Sequence, residues 1–220
     1  ITFGRGESNR IHAGEVENRG LFGSSARKYI GDKEFHVDIP LPGEHMVYNA
    51  LAAACVGNVF GIGKEGICRG IAKAEAVGGR SHIIRLEDRV VIDDCYNANP
   101  VSVCAAIDLL DTALTRKVAV LGDMFELGEG EKEMHAKVGA YAVEKGIDVL
   151  ICIGGLAEYM YKEAGKTAER LGMPAENIHY FPGKEDFLEI WHDVLEKGDT
   201  ILIKASHGME FSKIVKEIAE

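Results

Sequence analysis

The chain has 220 residues, enough for one large domain or two modest ones with a proper core. Its hydrophobic share of 46% and charged share of 27% are those of a soluble protein, and no apolar run is long enough to span a bilayer, so no membrane insertion is expected. A formal charge of −10 argues against a nucleic-acid partner, because phosphate backbones are gripped by clustered Lys and Arg.

No basic, apolar leader opens the chain, and a start at Ile1 rather than Met leads us to expect further sequence upstream. The five cysteines, Cys55, Cys68, Cys95, Cys104 and Cys152, form no CxxC pair. An odd count without a framework suggests reduced thiols and a cytoplasmic location. Cys55, Cys104 and Cys152 lie in apolar runs, where a thiol reads as a small core residue.

The first forty residues are rich in Gly and charge, with short β-like pieces such as Phe35–Ile39, and read as strands and turns at the edge of something larger. Pro40, Pro42 and Gly43 break that run and lead into a helix pattern from about Glu44 to Val59, whose Ala50–Ala54 interior permits close packing. A second helix is expected from Lys64 to Ala76, ended by Gly78-Gly79. The stretch Gly61-Ile62-Gly63-Lys64-Glu65-Gly66 spells GxGxxG but follows a helix rather than a strand, so it reads as a helix–helix turn. No GxxxxGK[ST] phosphate loop occurs.

From Arg80 onward the texture changes. Short apolar runs read as strands at Ser81–Leu86, Val90–Asp93, Lys117–Leu121, Asp148–Ile153, Asn177–Phe181 and Thr200–Lys204. Helical stretches fall near Val101–Leu114, Glu131–Lys145, Leu156–Leu171, Asp186–Glu196 and Met209–Ile218. Buried strands alternating with amphipathic helices predict an α/β fold with a mostly parallel, doubly wound sheet. The first two strands are too close for a helical crossover and should form a hairpin. A boundary is placed near Val77, dividing residues 1–76 from 77–220.

In an open α/β sheet, ligands sit beyond the carboxyl ends of the strands. Three segments meet that condition. In Asp93-Asp94-Cys95-Tyr96-Asn97-Ala98-Asn99-Pro100, Asn99 and Pro100 are explained as helix N-cap and first helical residue, but the crowding of Asp93, Asp94, Tyr96 and Asn97 is not. A carboxylate there can accept two hydrogen bonds from a ribose diol. The turn Gly122–Gly128 carries Asp123 and Glu126 and reads more simply as a solvated connection. In Lys204-Ala205-Ser206-His207, one fixed charge, one hydroxyl and the N–H groups of a helix start suit an anion, with Ser206 as a plain N-cap the simpler alternative.

These segments resemble the Mur ligases. Leu41-Pro42-Gly43-Glu44-His45-Met46-Val47-Tyr48-Asn49-Ala50-Leu51-Ala52-Ala53 is similar to that family's lPGxHNxxNALAA helix. Asp93–Pro100 resembles DDxYNANP, Gly122–Gly128 resembles GDMxELG, and Lys204–His207 resembles KGSR, all motifs of the branch that adds D-alanyl-D-alanine. The resemblance implies a Rossmann-like C-terminal domain over residues 77–220, preceded in residues 1–76 by the last part of an α/β central ATPase domain. The phosphate loop and main Mg2+ ligands are then expected upstream.

The implied activity is ADP-forming ligation of D-Ala-D-Ala to UDP-MurNAc-tripeptide in peptidoglycan synthesis, with ATP and Mg2+ and an acyl-phosphate intermediate, by a cytoplasmic monomer. The chain alone is expected to be inactive. By the same resemblance, His45 and Asn49 meet the adenine, Arg80 reaches the ATP phosphates, Asp94 holds the ribose, and Tyr96 and Asn97 shape the cleft. Lys204 and Ser206 face the reacting carboxyl or the dipeptide as catalytic residues, while Asp123, Glu126 and His135 brace the domain. Met46 and His207 depart from the family's usual Asn and Arg. The sequence leaves two alternatives open: another amide ligase of the Mur or folylpolyglutamate type, decided by the amine that drives ADP release, and a non-catalytic binding module, favoured if no phosphate loop lies upstream.

Overall fold

The structure, a computed structural model, describes all residues except Asp32, Met173 and Glu220. It divides into two compact units, Ile1–Ala76 and Val77–Glu220.

In the first unit, β1 (Phe3–Gly4), β2 (Ile11–Asn18), β3 (Ser24–Ile30) and β4 (Lys33–Ile39) form one sheet in sequence order, parallel between β1 and β2 and antiparallel elsewhere. Alternation puts Ile11, Ala13, Ala26, Phe35, Val37 and Ile39 on one face. Helices α1 (His45–Val59) and α2 (Lys64–Ala72) cover that face with Val47, Ala50, Leu51, Ala54, Ile67 and Ile71. The opening segment is thus made of strands and turns, as expected, and they join in one continuous sheet with its own core. Helix α2 also stops four residues short of the expected end. Ile71 is its last buried residue, and past it the backbone turns at Lys73 and Ala74, both bonding back to the Ile71 carbonyl.

The second unit contains β5 (His82–Arg85), β6 (Val90–Asp93), α3 (Pro100–Asp111), β7 (Lys117–Gly122), α4 (Glu131–Glu144), β8 (Val149–Ile153), α5 (Ala157–Leu171), β9 (Ile178–Phe181), α6 (Lys184–Val194), β10 (Thr200–Lys204) and α7 (Ser212–Ala219). The sheet order is β5-β6-β10-β7-β8-β9. Five strands run parallel, and β5 joins β6 as an antiparallel hairpin. The parallel strands are buried on both faces, which is why their sequences are nearly unbroken Val, Ile and Leu. One face, through Val118, Val120, Ile151, Ile201 and Ile203, packs on Phe187 and Trp191 of α6, on Phe211 just before α7 and on Ile214 of α7. Helices α3, α4 and α5 pack against one another and lie over strands β7–β10 on the other face. At the α4–α5 crossing, a Cβ on Gly139 would collide with the Met160 carbonyl, so only glycine permits the approach.

Helix α7 starts later than its sequence pattern suggests. A short 3-10 turn over His207–Met209 ends at Glu210, whose φ of 54° lies in the left-handed region and breaks the helical path. That break drives Phe211 into the core against Gly122.

Candidate active site

The strand order creates a crevice at the carboxyl end of β10. The connections after β6 and β7 lead to α3 and α4 on one face of the sheet, while the connection after β10 leads to α7 on the opposite face. Adjacent loops diverge, which is the setting in which open parallel sheets bind ligands.

Register explains the first contact in this crevice. Ile203 of β10 lies level with Asp93 of β6, and the Asp94 N–H bonds to the Ile203 carbonyl at 3.0 Å, so Lys204 falls beside Asp94. The Lys204 ammonium is 3% exposed and donates to three acceptors: Asp94 Oδ2 at 2.6 Å, the Asn97 carbonyl at 2.8 Å and the Asp94 carbonyl at 3.3 Å. An ammonium has three N–H bonds. All of them are engaged inside the protein.

The other Asp94 oxygen accepts the Ser81 N–H at 2.8 Å. A carboxylate offers about four lone-pair sites, so Asp94, with its side chain 15% exposed, retains acceptor capacity toward the crevice. Ser81 adopts a left-handed φ of 47°, and Gly79 one of 73°. The preceding segment is fastened to the same turn: the Gly79 N–H bonds to Asp93 Oδ2 at 3.0 Å, and the Tyr96 N–H bonds to the Gly79 carbonyl at 2.8 Å. Arg80 lies over the exposed Tyr96 ring, 4.0 Å from its centroid. The Cys95 thiol is pushed up to about 12, chiefly by burial and then by its 2.9 Å contact with Asp93, which makes it inert as a nucleophile. Asn97 is exposed and its side-chain oxygen accepts the Ala98 N–H, while Asn99 caps α3 in a reciprocal box with Ser102 and Pro100 opens the helix.

The remaining polar groups hold loops together. Ser206 is 3% exposed, and its hydroxyl accepts the Phe125 N–H at 2.8 Å. It is neither a side-chain N-cap nor an open anion ligand. Asp123 Oδ1 accepts the Leu156 and Ala157 N–H groups at 3.0 and 2.7 Å, capping α5, and a Cβ on Gly154 would collide with that carboxylate. The fully buried His135 accepts the Met124 N–H at 2.8 Å through Nε2. On the rim, His207 meets Tyr96 with ring centroids 5.8 Å apart.

Arg80, Asp94, Tyr96, Asn97, Lys204 and Ser206 thus gather around one strand end in the second unit. His45 and Asn49 belong to the first unit, one turn apart on an exposed side of α1, where the Asn49 amide rests on the Met46 sulfur at 3.3 Å. Sequence reasoning missed Gly79, Ser81 and Phe125 as parts of the crevice. A Gly-Gly pair before a strand was the available signal for the first two, and an exposed aromatic in a glycine-bounded loop for the third. Among the described residues, no group of three His, Cys, Asp or Glu is placed to hold a metal ion. No helix among them is long and apolar enough to cross a membrane.

Residues 79–207 match the family described as Mur ligase, glutamate ligase domain. The UDP-N-acetylmuramoyl-tripeptide–D-alanyl-D-alanine ligase of Bacillus subtilis (strain 168) is 36% identical over 185 residues, 83% of this chain and 39% of the relative. The enzyme of the same name from Escherichia coli (strain K12) is 33% identical over 185 residues, covering 83% and 38%. A crystal structure of MurF from Acinetobacter baumannii superposes on the whole chain with a TM-score of 0.89 at 26% identity, over 47% of its own length. MurF ligase of Thermotoga maritima in complex with ADP shares the fold, with a TM-score of 0.76 at 23% identity over 99% of this chain and 48% of its own. The chain therefore spans about two fifths of the length of the curated relatives it matches. With a matched family domain over more than half its residues, and relatives similar through most of the rest, the chain belongs to the Mur ligase family.

Proposed function

We propose that this chain serves, within a longer polypeptide, the ATP-dependent, ADP-forming ligation of D-Ala-D-Ala to UDP-MurNAc-tripeptide in peptidoglycan precursor synthesis. The reading is carried by the DDxYNANP turn, Asp93–Pro100, at the carboxyl end of β6 beside that of β10, in a chain 36% identical to a ligase of that name. Residues 1–76 are the last part of the central ATP-binding domain, and residues 77–220 the C-terminal domain. The polypeptide is a cytoplasmic monomer that uses ATP and Mg2+, with the main metal ligands upstream of this chain.

ATP phosphorylates the terminal carboxyl of the tripeptide. The dipeptide amine attacks the acyl phosphate, the new amide bond forms as phosphate leaves, and the amine's proton passes to solvent or a nearby base. Such chemistry depends on positioning and on charge neutralisation more than on covalent help from the protein. Asp94 accepts hydrogen bonds from the ribose, Arg80 meets the phosphates, and Tyr96 and Asn97 shape the cleft. His45 and Asn49 meet the adenine. The catalytic contribution of Lys204 and Ser206 is made from behind: each is spent on holding a loop, so they position the residues that touch substrate.

The test is ADP release by the full-length protein with ATP, UDP-MurNAc-tripeptide and D-Ala-D-Ala, and with each omitted in turn. Release that requires all three supports the reading, and release driven by a different amine favours a sibling ligase. No turnover by the 220-residue chain alone is expected.

A further inference from the structure

We infer that Phe125 determines acceptor specificity, its ring forming the apolar wall against which the small side chains of the dipeptide pack. This rests on the ligase reading above. The crevice at the end of β10 looks polar in sequence, but its most polar groups are consumed internally. Lys204 is fully engaged by three acceptors, Ser206 by the Phe125 amide, and Asp123 by the start of α5. Beside the exposed Arg80 and Asn97, the loops present rings to solvent: Tyr96, 49% exposed, on the β6 side, and Phe125, 40% exposed, on the β7 side, with His207 between them on the β10 turn.

Phe125 is held too firmly to be an incidental surface aromatic. Its N–H is fixed by Ser206, and its ring lies against Gly208, where an added Cβ would sit 3.2 Å from the Phe125 Cε2. Immediately afterwards the chain reverses through left-handed backbone at Glu126 (φ 63°) and Gly128 (φ 72°). A ring with so fixed a backbone and so much exposed apolar surface is built to be covered.

The occupant follows from what lies on each flank. Asp94 and Arg80, the acceptor and cation suited to a nucleotide, stand on the β6 side. Phe125 stands across β10 from them, where an apolar ring favours an uncharged group of small volume. The methyl side chains of D-Ala-D-Ala have that chemistry, and a fixed ring limits how much larger they can become.

In the full-length protein, Phe125→Ala should raise the KM for D-Ala-D-Ala about tenfold, the cost of uncovering one or two methyl groups, and leave the KM for ATP unchanged. It should also admit a bulkier acceptor such as D-Ala-D-Leu, and Phe125→Leu should fall between the variant and the wild type. An unchanged dipeptide KM in both folded variants, or an ATP KM that rises in step with it, overturns the inference. The wild-type control separates the two levels: if it uses no D-dipeptide, the ligase reading itself fails and takes this inference with it.

Discussion

The ammonium of Lys204 and the carboxylate of Asp94, 110 positions apart in sequence, meet at 2.6 Å in a contact where the lysine is almost wholly buried. The same ammonium binds two backbone carbonyls of the Asp94–Asn97 turn, so the pair fixes the shape of the loop as well as neutralising charge. Breaking one side of such a pair leaves the other charge without a partner, a loss on the order of 3–5 kcal/mol.

Lys204→Met should therefore destabilise the chain by roughly that amount, whereas Lys204→Met combined with Asp94→Asn should recover part of the loss. Urea unfolding followed by the fluorescence of the single tryptophan, Trp191, measures both. Strictly additive losses in the double variant would show that the two side chains do not act as a pair.

Asp123→Ala removes the acceptor for the first two N–H groups at the start of α5. A lost cap costs about 1–2 kcal/mol, and faster amide exchange at Leu156 and Ala157 should accompany it. Unchanged exchange at those two amides would place the role of Asp123 elsewhere.

In the first unit, Lys28 occupies a core-facing position of β3 between Ala26 and Ile30, fully buried, and its ammonium has no hydrogen-bond partner among the described residues. Burial pushes it from the ordinary 10.5 down to about 8, against a weak opposing influence from Cys68. The unfolded chain then binds more protons than the folded one between about pH 8 and 10.5, so stability should rise across that window. Below about pH 8 the full penalty applies, on the order of 3 kcal/mol for a difference of 10.5 − 8. Lys28→Met should stabilise the chain at neutral pH and flatten the slope, as read from urea midpoints between pH 7 and 11. A slope that survives the substitution would assign it to another group.

Much of the second unit is legible from residues alone, since strands buried on both faces have nearly continuous Val, Ile and Leu, and the Asn99-Pro100 helix start is spelled out in two letters. Of the Gly61–Gly66 stretch, Gly61-Ile62-Gly63 is the turn between α1 and α2, while Lys64-Glu65-Gly66 already opens α2. Other features depend on partners the sequence does not display. Helix α2 ends where its core contact ends at Ile71, not at the next glycine. Helix α7 begins late because Glu210 turns left-handed to bury Phe211.

The candidate site shows the same division. Its location after β6, β7 and β10 follows from strand ends, but the accounting of its hydrogen bonds does not. Lys204 and Ser206 look like open ligands in sequence because nothing local shows Asn97 and Phe125 as their partners. Only the parallel register of β10 with β6 on one side and β7 on the other brings those groups together.

The most direct test of the nucleotide-binding crevice is the kinetics of Asp94→Asn in the full-length protein, with ATP and D-Ala-D-Ala varied in the same assay. Loss of a charged acceptor for the ribose should raise the KM for ATP by about tenfold or more while the dipeptide KM stays within about twofold. Wild-type constants for both substrates in a correctly folded variant would contradict the account.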